Sequence, residues 1–201
     1  QAYGRGYKEN TDELVTEIID NINKAVELNT NDFEAHRMLA EVHLSMHDFD
    51  KALDHGSKAF QLNPNDPRVS SVYGEILIRI KKLDEGISLL EKAYELDPIP
   101  QGQSTSDRRI CALLTGYYLS NNIKRCEELI NQIVEIDFKS WLLSIDIYNH
   151  NNKTLEDQTW FTKGISKFKD LDLRLEVDRF HLNNKDLSKN LVDKAESILI
   201  N

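Results

Sequence analysis

The chain has 201 residues, 40% of them apolar, with 25 basic against 34 acidic side chains and a formal charge of -9. That supports one sizeable core or one short solenoid, and it argues against a phosphate-backbone groove, so nucleic acid is not an expected partner. No apolar run approaches the roughly 18 residues that a membrane span needs. The N-terminus, QAYGRGYKEN, lacks an initiator Met and a signal-like apolar core. It reads as the cut edge of a longer protein or the start of an expression fragment. The only cysteines, Cys111 and Cys126, are expected near the starts of two consecutive antiparallel helices. At ~1.5 Å rise per residue such starts lie about 15 Å or more apart, beyond disulfide reach. Reduced thiols and a cytoplasmic setting follow, and the spacing fits no zinc pattern.

The first predicted element is an amphipathic helix over 11–28, with Leu14, Ile18, Ile22, Ala25 and Val26 on its apolar side. A second helix begins near Asp32, a good N-cap, and runs to about Ser45. His47-Asp48 turns the chain into a helix over 49–62. Asn63-Pro64-Asn65-Asp66 stops that helix and caps the next, with Pro67 in the first turn, where its missing N–H costs little. Helices over 66–80 and 83–96 follow, closed by Asp97-Pro98. Much of this stretch repeats at an interval of 34 residues. Ala59 and Ala93, Leu62 and Leu96, Pro64 and Pro98, Ala40 and Gly74, and Leu39 and Tyr73 all keep that step. A fixed period of this size indicates stacked helical hairpins that bury their apolar faces against neighbours.

After Pro98 the period slips: Ile136-Asp137 matches Leu96-Asp97 at a distance of 40, so six residues have entered. The polar, turn-rich stretch from Ile99 to Ser106 is the place for them. A third hairpin is expected over 106–120 and 123–136, with Gly116 and Cys126 near its crossing. Further helices are expected over 139–149, 155–168, 171–182 and 187–200. The alternation of Leu171, Leu173, Leu175 and Val177 also admits a short strand, but the helical surroundings favour helix.

The small residues at Ala40 and Gly74, the Ala at positions 52, 59 and 93, and the closing Pro64 and Pro98 resemble the tetratricopeptide repeat. In that family small side chains let paired helices approach and Pro ends the second helix. This sequence departs from the pattern with His36 and Ser70 where the family favours Trp, and His43 and Leu77 where it favours Tyr. Gly86 stands where Ala is usual, at a helix-propensity cost of about 1 kcal/mol. The resemblance implies an all-α, right-handed α-α superhelical solenoid spanning 1–201. It would comprise a leading helix over 11–28, regular repeats over 32–63 and 66–98, a repeat after the insertion over 106–137, and degenerate helical hairpins over 138–201.

It also implies that the first helices line a concave groove. Mapped onto this chain, the groove residues are Glu34, Arg37 and Glu41, then Arg68, Ser71, Glu75 and Arg79, then Arg108, Thr115 and Tyr118. Arg108 and Arg109 sit behind the polar loop, a rim that would favour an acidic segment. Glu41 and Glu75 stand where the family's chaperone-tail clamp uses Asn, which disfavours that clamp.

His36, His43 and His47 fall at offsets of seven and four on one helical face. That face contains Ala40 and packs on the paired helix, and no carboxylate or Cys completes a ligand set, so neither a metal nor another cofactor is expected. No nucleophile–base order, phosphate loop or carboxylate pair stands out, and Gly4-Arg5-Gly6 is too short to cradle a phosphate. Trp141 and Trp160 read as packing anchors. The expected function is a non-catalytic interaction scaffold that binds a peptide or protein segment in the groove. The alternative is the C-terminal regulatory or assembly region of a larger bacterial enzyme, since the layout is similar to the tetratricopeptide regions attached to class III nucleotide cyclases. Self-association through the uncovered end helix, by Ile18 and Ile22, is a third possibility.

Overall fold

Aspartates cap four of the described helices. In a computed structural model, which describes residues 6–99, 102, 107–171 and 185–199, the Asp32 carboxylate accepts the backbone N–H groups of Glu34 and Ala35 at 3.0 and 3.1 Å. Asp66 accepts that of Arg68 at 2.8 Å, and Asp137 that of Ser140 at 2.7 Å. Each such cap satisfies a donor that a helix start leaves unpaired, worth about 1 kcal/mol. The helices are α1 (Gly6–Leu28), α2 (Phe33–Ser45), α3 (Phe49–Leu62), α4 (Pro67–Arg79) and α5 (Leu83–Leu96). They continue with α6 (Asp107–Leu119), α7 (Ile123–Ile130), α8 (Phe138–His150), α9 (Thr159–Phe168) and α10 (Lys185–Leu199). No strand occurs among the described residues. The molecule is an all-α helical solenoid.

Each of four hairpins turns through the same device. His47, Lys81, Asn121 and Asn152 have positive φ, between 51° and 67°. The residue after each donates its N–H to a carbonyl five residues back: Asp48 to His43, Lys82 to Leu77, Asn122 to Tyr117 and Lys153 to Tyr148, at 2.8 to 3.0 Å. This is the Schellman closure, which satisfies the last carbonyls of a helix and reverses the chain. His47 and Lys81 are 34 residues apart, Lys81 and Asn121 are 40, and Asn121 and Asn152 are 31. The 40-residue step matches the slip read from the sequence. The turn also identifies α8 and α9 as a fourth hairpin of the same kind.

Within the second hairpin, Gly74 and Gly86 face each other. A Cβ on Gly86 would lie 2.7 Å from the Gly74 carbonyl oxygen, and one on Gly74 2.9 Å from that of Gly86. The propensity cost of Gly86 is therefore offset by a helix approach that Ala would block. Gly116 does not sit at the crossing with α7: its Cβ would meet Ile78 and Ile87 of the preceding hairpin at 2.7 and 2.8 Å. Cys126 does lie there, buried against the Leu114 carbonyl. Both cysteines are free thiols, and burial pushes the pKa of each up to about 12.

Three further expectations need correction. α7 ends at Ile130 rather than near Ile136, because the buried Asp107 carboxylate takes the N–H groups of Val134 and Glu135, both at 2.8 Å. A helix carried through that point would bury those donors in its own ladder. Ile22 is 7% exposed, packed with Ala35 and Leu39 between α1 and α2, so only Ile18, at 45%, remains open for self-association. The leading helix starts at Gly6 rather than near Thr11. Trp141 and Trp160 are buried among Phe138, Phe161, Phe168 and Tyr148, and they anchor the fourth hairpin. The segment over 172–184, where the sequence admits helix or strand, lies outside the described residues, as does most of the polar loop over 99–106.

First helices pack side by side as well as on their own partners: α2 on α4, α4 on α6 and α6 on α8. Among the described residues α3, α5 and α7 make no comparable contacts with one another. The first helices therefore form one continuous row. None of the described helices is long and apolar enough to cross a membrane.

Candidate groove on the first helices

Glu34, Arg37 and Glu41 share one stripe of α2, since offsets of three and four return to the same face. Arg68, Ser71 and Val72 rise from the adjacent turns of α4, and Arg108 from the start of α6. These residues, with Arg109 beneath them, line a cavity of about 330 Å³. The structure thus brings together six of the ten groove residues read from the sequence: Glu34, Arg37, Glu41, Arg68, Ser71 and Arg108.

Their charges form a chain of alternating sign. Arg68 donates from Nε and Nη2 to Asp66 at 3.1 and 2.7 Å, and from Nη1 to Glu34 at 3.4 Å. Arg37 grips Glu34 with Nε and Nη2 at 3.0 and 2.7 Å and reaches Glu41 with Nη1 at 2.8 Å. Arg108 donates to the other oxygen of Glu41. The Arg37 bond holds the Glu34 carboxyl below the usual carboxylate range. For Glu41, burial opposes ionisation, but Arg108 and Arg37 outweigh it and its pKa is also lowered. Pairs this exposed contribute at most about 1 kcal/mol each. Their larger effect is positional, because the two-pronged contacts hold long side chains in one arrangement.

The other four candidates lie elsewhere. Glu75 and Arg79 sit half-buried further along α4. Burial lowers the Arg79 pKa against the pull of Glu75 and Asp137, and burial with Arg79 lowers that of Lys139 on α8. Tyr118 donates its hydroxyl to Asp146 at 2.7 Å and lines a second cavity with Asp146, His150 and Leu187. Thr115 is a correction: it is 2% exposed and its hydroxyl donates to the Cys111 carbonyl at 2.9 Å, so it faces the core. Arg109 is another. It is 1% exposed, with Nη1 on the Pro67 carbonyl at 3.1 Å and Nη2 on Asp97 at 2.7 Å. It ties α6 to the second hairpin and offers no rim. Consecutive helical residues do not share a face, and that rule separates Arg108 from Arg109 in the sequence.

Two members of the site do not follow from the sequence. Asp66 caps α4, as its position predicts, yet it also orients Arg68. Val72 gives the cavity an apolar floor. The histidines also regroup. His55 of α3 joins His36, with their Nδ1 atoms 3.0 Å apart, and stacks on His43 at 5.9 Å between centroids. His47 leaves the set for the hairpin turn and packs against Phe49. Among the described residues no group of three or more His, Cys, Asp or Glu is placed to hold a metal ion.

The sequence matches the model of a family described as anaphase-promoting complex, cyclosome, subunit 3, over residues 18–93. No curated protein sequence matches it. Among solved structures it is similar to PilW, a widely conserved type IV pilus biogenesis factor, at 15% identity and a TM-score of 0.67, over 96% of this chain and 87% of that one. It is similar to a thermophilic TPR protein of Thermus thermophilus, at 16% identity and 0.61, over 88% and 94%. The chain has the tetratricopeptide-repeat fold. YrrB, a TPR protein with an unusual peptide-binding site, is also similar, at 14% identity and 0.57, over 85% and 86%. In this tetratricopeptide solenoid the cavity lies on the row of first helices. The class III cyclase layout draws no support from these comparisons.

Proposed function

We propose that this tetratricopeptide solenoid is a non-catalytic interaction scaffold, and that a peptide or protein segment lies along its first helices at the cavity between α2, α4 and α6. One observation carries the reading: residues far apart in the chain, Glu34, Arg37, Glu41, Arg68, Ser71 and Arg108, converge on a single cavity. A surface of ordered guanidinium and carboxylate groups around an apolar floor suits side-chain pairing with an extended segment. The similarity to YrrB, a TPR protein with an unusual peptide-binding site, supports the same assignment. The reading calls for no cofactor and no catalytic group.

Selection of a random-peptide phage library on the intact chain tests it. Selected peptides are expected to lose at least tenfold in affinity with the joint Arg68→Ala and Arg108→Ala variant, since hydrogen bonds to charged groups contribute about 1.5–3 kcal/mol each. Arg125→Ala, on α7 and away from the cavity, is expected to leave affinity unchanged. Equal binding by all three proteins removes the groove assignment.

A further inference from the structure

Four of the nine arginines in this acidic chain line one cavity. They are not equally occupied. Arg37 spends three N–H groups on two carboxylates, and Arg68 spends its three on Asp66 and Glu34. Arg109 is buried on Asp97 and the Pro67 carbonyl. Among the described residues Arg108 donates to Glu41 alone, and its side chain is 49% exposed. A guanidinium has five donors in a fixed fork, so Arg108 retains the largest unused capacity in the site.

The Glu41–Arg108 pair joins residues 67 apart in the chain and runs from α2 to α6. It therefore spans the first helix of one hairpin and the first helix of the hairpin two places on, with Ser71 and Val72 of α4 lining the same cavity. Glu41 also keeps a second cation. Its other oxygen accepts from Arg37 at 2.8 Å on its own helix. Releasing Arg108 thus leaves Glu41 still paired, which makes the exchange inexpensive compared with stranding a carboxylate. The two acids of the cavity offer no equivalent to a cationic ligand, because Glu34 and Glu41 are each held by two arginines.

Resting on the groove reading above, we infer that Glu41 is an internal stand-in for the ligand: the partner is an acidic peptide whose carboxylate displaces Glu41 from Arg108 and opens the α2–α6 strap. The strap closes the cavity in the free protein and sets the affinity threshold for entry. Partners lacking a carboxylate cannot replace the contact that entry breaks, so they are selected against.

Fluorescence anisotropy with three labelled peptides of equal length, Glu-rich, Gln-rich and Lys-rich, tests this on the intact chain. The Glu-rich peptide is expected to bind best. Glu41→Gln is expected to tighten it on the order of tenfold, the scale of one charge-assisted hydrogen bond, and to tighten the Gln-rich peptide as well, since entry no longer breaks the charged strap. Arg108→Gln is expected to abolish the preference for Glu, and the double variant to behave like Arg108→Gln alone. Arg108→Lys, which keeps the charge without the fork, serves if the Gln variant is unstable by circular dichroism; it is expected to weaken the Glu-rich peptide. Glu91→Gln on α5 is the control. If the Gln-rich or Lys-rich peptide binds equally well and Glu41→Gln does not tighten the Glu-rich one, the strap is overturned while the groove stands. If no peptide binds any variant, the groove reading falls with it.

Discussion

A backbone carbonyl can only accept, and this decides the protons in the histidine cluster between α2 and α3. His36 Nε2 lies 3.2 Å from the Thr30 carbonyl oxygen and must carry the hydrogen. A neutral His36 then presents a bare Nδ1, which accepts from His55 Nδ1–H at 3.0 Å. His43 stacks on His55 within 5° of parallel. Burial lowers the pKa of His55, reinforced by His36 and His43 and opposed by Asp54. It lowers that of His43 too, with Lys51 acting in the same direction and Asp48 in the other. The folded chain therefore holds fewer protons here than the unfolded chain once pH drops below about 6.5. The stability this cluster contributes is complete above that value and is lost as pH falls. Thermal melts at pH 7.5, 6.5 and 5.5 are expected to show a falling Tm, with the slope reduced in His55→Leu. An unchanged slope in that variant excludes the cluster as its source.

At the scale of the element, Asp107 shows how one side chain ends a helix remote in sequence. Its two oxygens hold the N–H groups of Val134 and Glu135, and α7 stops at Ile130. Asp107→Ala removes the acceptor of two part-buried N–H groups, and a loss of about 1–3 kcal/mol is expected at about 0.5–1.5 kcal/mol per hydrogen bond. Asp107→Asn keeps one acceptor and is expected to lose less. Urea denaturation checks the order, and equal stability of the two variants would discount the staple. The helices with local signals are legible in the sequence: α2 to α5 carry an Asp or Pro at or near their starts and share the period of 34. The end of α7 is not, because it depends on a carboxylate 27 residues upstream. Offsets of three and four also put Glu34, Arg37 and Glu41 on one face of α2, but that this face lines a groove is implied only by the tetratricopeptide resemblance. Thr115 escapes such a reading because its stripe on α6 is covered by the next hairpin, and the burial of nearly all of α6 leaves it little periodicity to read.

Across the whole molecule, packing is between near neighbours along the chain, so stability is distributed unevenly. Among the described residues the largest apolar cluster runs from Ile78 of the second hairpin to Ala195, whereas α1 and the first hairpin, with Val72 and Ile76 of α4, are held by two small clusters built on alanines and a few branched residues. Hydrogen exchange is expected to be faster in α1 and α2 than in α6 and α8, by the difference between local and global opening. Ile22→Ala is expected to accelerate exchange in α1 and α2 and to leave α8 unchanged. Uniform acceleration along the chain would mean that the solenoid opens as one unit.

The four left-handed turn residues act as a ruler. His47, Lys81, Asn121 and Asn152 mark the inner bend of every hairpin with the same geometry, although their separations are 34, 40 and 31. The first helices α2, α4, α6 and α8 have 13 residues each, so variation in length falls after the turn residue: in the second helices, at the seams 63–66, 97–106 and 131–137, and in the stretch 153–158 that leads into α9. Each bend is closed to insertion only up to its Schellman bond, and at the fourth the extra residues 153–158 enter after it. The seams are open to it because only a cap and a stop are required there. The chain can lengthen, shorten or acquire a loop at those joints without disturbing the pairing inside any hairpin. The proposed groove on the first helices is thus adjustable in span, while α2, α4, α6 and α8 each keep 13 residues.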